Sequence, residues 1–292
     1  MSSDAVIIWG EVLWDRFPDG DQLGGAPANV AWHFGQAGGW ARLVTRVGDD
    51  DDGRRALEKL ETVVDTSLVQ IDPQRATGEV TVRLQGGEPR YTLHADRAWE
   101  RIACTDAVRA ALDEAGVLIF GTLAQRKPEG LAGWRDAIAA TRATKVCDLN
   151  LRPTDQDAVA IREAIDAADI IKINDRELAS LREWYGWPDP IMKLREPRPD
   201  GRARRTIAVT HGAAGSTLYG DHTIEVPAFA ARPGGDIVGC GDAYLAILVL
   251  GLTSGWDLAA SGRAAAKWAA AVASVRGATP TFSDDQIEEL LA

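Results

Sequence analysis

The residues best placed to do chemistry lie in DIVGCGDAY, residues 236 to 244. Gly239 and Gly241 let backbone approach a ligand closely. The apolar run that follows reads as a buried helix, whose free N–H groups and positive dipole end would face that ligand. Gly239, Cys240 and Gly241 then form an anion hole that needs no lysine. Asp242 falls in the first turn, where the dipole favours its ionised form, so it is expected to be charged at neutral pH and able to accept a proton. An acid at that position is also an ordinary dipole partner, and this stretch alone does not choose between the two.

Four further stretches carry candidate groups. In LGGAPANVAWHFGQAG (23 to 38), Gly24 and Gly25 leave room for something small. Pro27 stands near a helix start, and Asn29, one turn in, offers an amide that can donate to and accept from hydroxyls. Asp15, upstream of the pair, is expected at the end of the first strand, pointing at the same pocket. CDLNLRP (147 to 153) ends a strand with Asp148, Asn150 and Arg152, and open α/β sheets bind ligands beyond the carboxyl ends of their strands. KINDREL places Asn174 and Glu177 three apart at the next strand end, suited to a water-mediated grip on Mg²⁺ and phosphates. A helix cap with acidic first-turn residues explains the same pair. VTHGAAGSTLYG closes a strand on Thr210, Gly212 and Gly215, which suits backbone contact with a nucleotide and equally suits a plain hairpin turn. Other chemistries are set aside: there is no GxxxxGK[ST] phosphate loop, no GxGxxG after a strand, no HExxH and no GxSxG. His33, His94, His211 and His222 show no ligand spacing.

The elements that must position these groups are legible as short apolar runs: AVIIWG, ARLVTRVG (41 to 48), GVLIFG, TKVCDLN, DIIKIN and RTIAVT. Alanine-rich helical stretches separate most of them. Strands alternating with helices imply crossover units and an α/β fold with a mostly parallel sheet covered on both faces. ATGEVTVRLQGGEPRYTLHAD (76 to 96) breaks the rhythm, alternating apolar and polar residues around Gly86 and Gly87 like a hairpin with one wet face. It is expected to form a lid with the segment 11 to 23. From Gly239 onward three helices are expected, the second ending near Gly277. LREPRPDGRARR (194 to 205) reads as an exposed loop with solvated arginines.

The 292 residues suffice for one large α/β domain or two small ones, and length alone does not choose between them; the chain is read as a single unit over 1–292 with the lid inserted in it. A net charge of −11 argues against nucleic acid and anionic membranes as partners and favours a small-molecule substrate. Cys104, Cys147 and Cys240 are odd in number and lack CxxC spacing, which fits a reducing cytoplasm, as does the lack of a basic start followed by a long apolar stretch.

Taken in order, these stretches resemble the ribokinase/PfkB family of sugar and nucleoside kinases over nearly the whole chain. GGAPAN is similar to the family's N-terminal signature and DIVGCGDAYLA to its C-terminal one. DLNLRP, INDRE, VTHGAAGS and AAAVASVRGATP fall in the remaining places. The resemblance implies a ribokinase-like three-layer α/β/α fold with a small β lid, and transfer of the ATP γ-phosphoryl group to a sugar hydroxyl with Mg²⁺. By motif position, Asp242 would be the base. Asp15, Gly24, Gly25, Asn29, Asp148, Asn150 and Arg152 would hold the sugar. Asn174, Glu177, Thr210, Gly212 and Gly215 would serve ATP and Mg²⁺, with Ala271, Val275 and Gly277 beside the adenine. A monovalent cation, K⁺, would sit near Asp236, although Ile237 and Val238 depart from the family's usual threonines there. Cys240 replaces the usual alanine, and the dipole is expected to lower its pKa and make it sensitive to alkylation. GGAPANVA, DLNLRP and AWERI (98 to 102) resemble the fructokinase branch, so fructose to fructose 6-phosphate is the expected reaction. The rivals are a 2-keto-3-deoxygluconate kinase, a ribokinase, a nucleoside kinase and, from another class, a silent sugar-binding sensor. Exposed lid strands would allow a homodimer.

Overall fold

The computed structural model describes residues 5–85, 88–151, 158–198 and 200–292. Gly86, Gly87 and Arg152 lie outside the described residues. Strands β1 (Ala5–Trp9), β2 (Leu13–Phe17) and β3 (Gly20–Gly24) precede helix α1 (Ala26–Gln36). Next come β4 (Ala41–Val44), β5 (Arg46–Gly48), α2 (Asp51–Leu60), β6 (Gln70–Asp72), β7 (Gly78–Gln85), β8 (Glu88–Leu93) and α3 (Asp106–Asp113). Then β9 (Ala115–Phe120), α4 (Pro128–Ala139), β10 (Thr144–Asp148), α5 (Ala158–Ala167), β11 (Ile170–Asn174), α6 (Asp175–Tyr185) and α7 (Pro190–Leu194) follow. The chain finishes with β12 (Thr206–Thr210), β13 (Ser216–Tyr219), β14 (Thr223–Val226), α8 (Cys240–Thr253), α9 (Leu258–Val272) and α10 (Asp284–Leu291).

The large sheet runs β14-β13-β12-β11-β10-β9-β1-β4, parallel from β4 to β12, with β13 and β14 antiparallel at one edge. Its strands are apolar on both faces, as a doubly covered sheet requires. The two-residue period sorts them: Val6 and Ile8 of β1 enter one core with α1, α8 and α9, while Ile7 and Trp9 enter the other with α3, α4 and α5. The same parity turns Asp148 of β10, Lys172 of β11 and Thr210 of β12 toward the face that α8 covers, at the carboxyl ends of their strands. The lid is a second sheet, β3-β2-β7-β8, in which β2 pairs with β7 in parallel and the other neighbours are antiparallel. The expected union of 11 to 23 with 76 to 96 is therefore present.

Three expectations change. ARLVTRVG is two strands: after Thr45 the chain leaves the large sheet, and β5 pairs with β6, where Arg46 meets the buried Asp72 at 2.9 Å. Helix α9 stops at Val272 rather than at Gly277. Ser274 Oγ donates to Ala270 O, and the Gly277 N–H is drawn away to Asp236 Oδ2 at 3.0 Å. The arginines of 194 to 205 are not all solvated, because Arg198 and Arg205 are buried and donate to carbonyls that end α5, and Arg198 also to Asp169.

His33 of α1 is enclosed between helices, where it bonds Ala278 O at 2.8 Å through Nε2 and accepts from Trp268 Nε1 at 3.1 Å through Nδ1. Burial lowers its pKa to about 4. Because the folded value lies below the unfolded one, this contribution is complete above about pH 6.5 and is lost progressively as pH falls toward 4. Urea melts between pH 7.5 and 4 should lose on the order of 3 kcal/mol from this group. A His33→Gln variant should show a shallower loss over the same window.

Candidate active site

Helix α8 is apolar on all sides from Ala243 to Gly251, so it is held centrally against the sheet and its first turn is fixed. Gly239 caps it in the left-handed region at φ 75°, and a side chain there would run into Ala278. The first N–H groups of the helix have no intrahelical acceptor, so the turn Gly239–Cys240–Gly241 has the donors an anion cradle needs.

Asp242 lies just inside that turn. Asn29 Nδ2 donates to its Oδ2 at 2.8 Å. Asn29 is itself buried, and among the described residues its Oδ1 has no hydrogen-bond partner. Burial pushes the Asp242 carboxyl up to about 7; Asp148 and Glu11 add to that rise, while Lys172 and the Asn29 amide oppose it. The expectation of an acid kept fully ionised by the dipole is thus corrected, because desolvation outweighs the dipole. The Cys240 thiol is corrected in the same sense. Burial, then Asp236 and Asp242, push it up to about 12, so it should resist alkylation at neutral pH.

On the lid side, Asp15 belongs to β2 and not to the end of the first strand, pairing across to Gln22 and Val80. Gly24 is small because the Asp15 carboxylate occupies the space beside it. Gly25, at φ 100°, is small because the backbone carbonyl of Glu11 does. Glu11, buried just after β1, accepts from the Ala26 N–H at 3.3 Å and so fixes the start of α1. The lid also reaches the other wall, where the Gln22 side chain lies against Gly277.

Across the sheet, Asp148 and Lys172 are register partners, and Lys172 Nζ donates to both Asp148 oxygens at 3.1 Å. Burial raises the Asp148 pKa, against the pull of Lys172. Asn150 sits at φ 37°, and its backbone N–H adds a donor to Asp148. Asn174 and Glu177 form a reciprocal cap on α6: Asn174 Oδ1 accepts from the Glu177 N–H at 3.0 Å, and Glu177 Oε2 from the Asn174 N–H at 2.9 Å. Glu177 Oε1 accepts from Leu151 N at 3.1 Å, and burial lifts the carboxyl to about 7. Thr210 pairs with Asn174 in the sheet and opens the turn in which Gly212 (φ 57°) and Gly215 (φ 99°) take left-handed backbone. A pocket of about 410 Å³ lies between the C-terminal half of α9, the 229–232 segment and α10, lined among others by Phe229, Arg232, Ala271, Val275, Gln286 and Leu290. Asp236 closes the loop before the cradle, accepting from Val238 N at 2.9 Å and Gly277 N at 3.0 Å.

The structure thus brings Asn29 and Asp148 close to Asp242 at the start of α8, sets Asp15 against Gly24, and places Asn174 and Thr210 side by side at adjoining strand ends with Glu177 capping α6. Two groups were missed. Lys172 is signalled by strand parity, as the polar residue after Ile171 facing the same way as Asp148. Glu11 is signalled only by being the first acid after a buried strand.

A mostly parallel sheet with a second, smaller β-sheet, a glycine turn opening a central helix and a half-buried carboxyl inside that turn form an arrangement able to hold an anion beside a proton acceptor. Among the described residues, no helix is long and apolar enough to cross a membrane. The pfkB family carbohydrate kinase pattern matches residues 20–285, and the chain belongs to that family. A fructokinase from Klebsiella pneumoniae is 30% identical over 268 residues, covering 85% of this chain and 84% of its own. The crystal structure of an uncharacterized sugar kinase from Pyrococcus horikoshii superposes with a TM-score of 0.84 at 26% identity, over 99% of this chain and all of its own. A second structure of that kinase is a complex with ATP. A fructokinase from Vibrio cholerae, in a form with fructose, ADP and calcium ion bound, superposes with a TM-score of 0.82 at 25% identity over the full length of both chains.

Proposed function

We propose that this sugar kinase transfers the γ-phosphoryl group of ATP to fructose, giving fructose 6-phosphate. The observation that carries the chemistry is the half-buried Asp242, held by Asn29 and backed by the glycine turn of α8. The likeness to fructokinases, 30% identity in one relative, supports the choice of sugar. Asp15 and the unpartnered Asn29 Oδ1 receive sugar hydroxyls from the lid side, with Asp148 and Asn150 opposite. Asp242 accepts the proton of the attacking hydroxyl. The new O–P bond forms as the bond to the β-phosphate oxygen breaks, and ADP departs with that electron pair. The N–H groups of Gly239, Cys240 and Gly241 hold the charge on the transferring group. The lid shields this exchange from water.

The 410 Å³ pocket beside Ala271 and Val275 is large enough for a purine and supports an adenine site there, with Thr210, Gly212 and Gly215 along the ribose and phosphates. For Mg²⁺ the fit is through water: both Glu177 oxygens already accept backbone N–H groups, and no cluster of three or more metal-ligating side chains exists among the described residues. Asn174 and Glu177 would hold the hydrated ion against the phosphates, where it supplies charge neutralisation. Asp236 fits a K⁺ ion less well, since both of its oxygens are committed to backbone N–H groups. The edge strand β8 carries Tyr91, 58% exposed, which supports a lid-to-lid homodimer testable by sedimentation velocity.

A coupled ADP-release assay across ketohexoses, aldohexoses, sugar acids, pentoses and nucleosides tests the reading. The highest kcat/KM is expected with fructose, and turnover confined to nucleosides would sink it. From the Asp242 value, kcat/KM should fall about tenfold per pH unit below about 7, since the protonated carboxyl cannot take the hydroxyl proton.

A further inference from the structure

We propose that Lys172 is a positioning residue for phosphoryl transfer: its buried ammonium fixes both oxygens of Asp148 and, seated beneath the Gly241 turn, sets the charge around Asp242. The inference rests on Asp242 being the base.

Lys172 is only 5% exposed, on the strand beside Asp148 and in register with it. Its Nζ is equidistant from the two Asp148 oxygens, 3.1 Å each, so the carboxylate is gripped from one side and cannot rotate freely. The same nitrogen lies 2.7 Å from where a side-chain carbon on Gly241 would be, which puts the ammonium directly under the anion cradle. Both Asp148 oxygens stand within hydrogen-bond distance of it, so the ammonium is paired rather than left as a lone buried charge. One fixed positive charge thus faces the carboxylates that grip the sugar and take its proton.

The groups that face Asp242 are Glu11 from the segment after β1, Asn29 from α1, Asp148 from β10, Lys172 from β11 and Cys240 from its own helix. Of these, only Lys172 is a cation. Removing it therefore leaves Asp242 among acids, and removing Asp148 leaves Asp242 with the cation less opposed. The two substitutions must move Asp242 in opposite directions. A buried pair that only fills space would weaken the fold in both variants and move Asp242 in neither.

The test follows the γ-carboxyl carbon of Asp242 by ¹³C NMR in aspartate-labelled protein, assigned by its loss in Asp242→Asn. Wild type, Lys172→Met and Asp148→Asn are titrated from pH 4 to 10. Lys172→Met should move the Asp242 midpoint up and Asp148→Asn should move it down, each by about 1 to 3 pH units. The acid limb of kcat, taken at saturating sugar and ATP, should follow. An unmoved midpoint, or shifts of the same sign, overturns the proposal. If Lys172→Met does not fold, Lys172→Gln, which keeps a polar group beside Asp148, decides: an upward shift sustains the role and an unmoved midpoint removes it. Because the titration needs no turnover, failure of every sugar in the assay would count against the kinase reading and leave this result standing.

Discussion

Asp242→Ala should lower kcat by about a thousandfold, roughly 4 kcal/mol of barrier, while ATP still binds. The carboxyl touches the cleft through Asn29 and lies beside the cradle, so its removal takes away the proton acceptor and leaves the backbone donors in place. Alanine also frees the Asn29 amide, which the isosteric Asp242→Asn avoids by keeping an oxygen within its reach. Both variants should therefore fail in kcat, with the asparagine variant nearer to wild type in sugar KM. ADP-release kinetics and calorimetric titration with ATP check the split. Full activity in either variant would remove Asp242 from the mechanism. Loss of ATP binding as well would reassign it to holding the nucleotide.

The order of elements was legible because apolar period and glycine placement are local properties. β1, β9, β10, β11 and β12 stand where AVIIWG, GVLIFG, TKVCDLN, DIIKIN and RTIAVT predicted strands, and the lid joins the two segments expected to form it. What local pattern could not carry was burial. The helix dipole at Asp242 and Cys240 acts through the first turn and is visible in the sequence. The desolvation that overrides it depends on α1, β10 and β11 converging from distant positions, as the Asn29 bond across 213 residues shows. Asp15 lay in the segment expected to form the lid, yet was also read as ending the first strand; that second reading fails because β2 is a separate strand that pairs with β3 and β7. Lys172 went unread for a related reason. A lysine in DIIKIN looks like a solvated strand residue until the register sets it beside Asp148 under α8.

Gly239→Ala should lower kcat by about a hundredfold to a thousandfold, the loss expected when cradle donors are misaimed. The position takes φ 75°, which costs an alanine about 1 to 2 kcal/mol by itself. The added carbon would also stand 2.7 Å from the Ala278 Cα, so the turn must move away from the 277–280 segment that His33 and Asp236 hold. Moving it rotates the N–H groups of Cys240 and Gly241 away from the transferring phosphoryl group. Gly255→Ala separates strain from catalysis. Gly255, just past the C-terminal end of α8, has φ 82° and open space around it, so it pays the same backbone penalty about 20 Å from the cradle. Both variants should lose similar stability in urea melts, with Gly239→Ala somewhat lower, and only Gly239→Ala should lose kcat. Equal kcat in the two would mean that the glycine serves helix entry alone and that charge on the transferring group is held elsewhere.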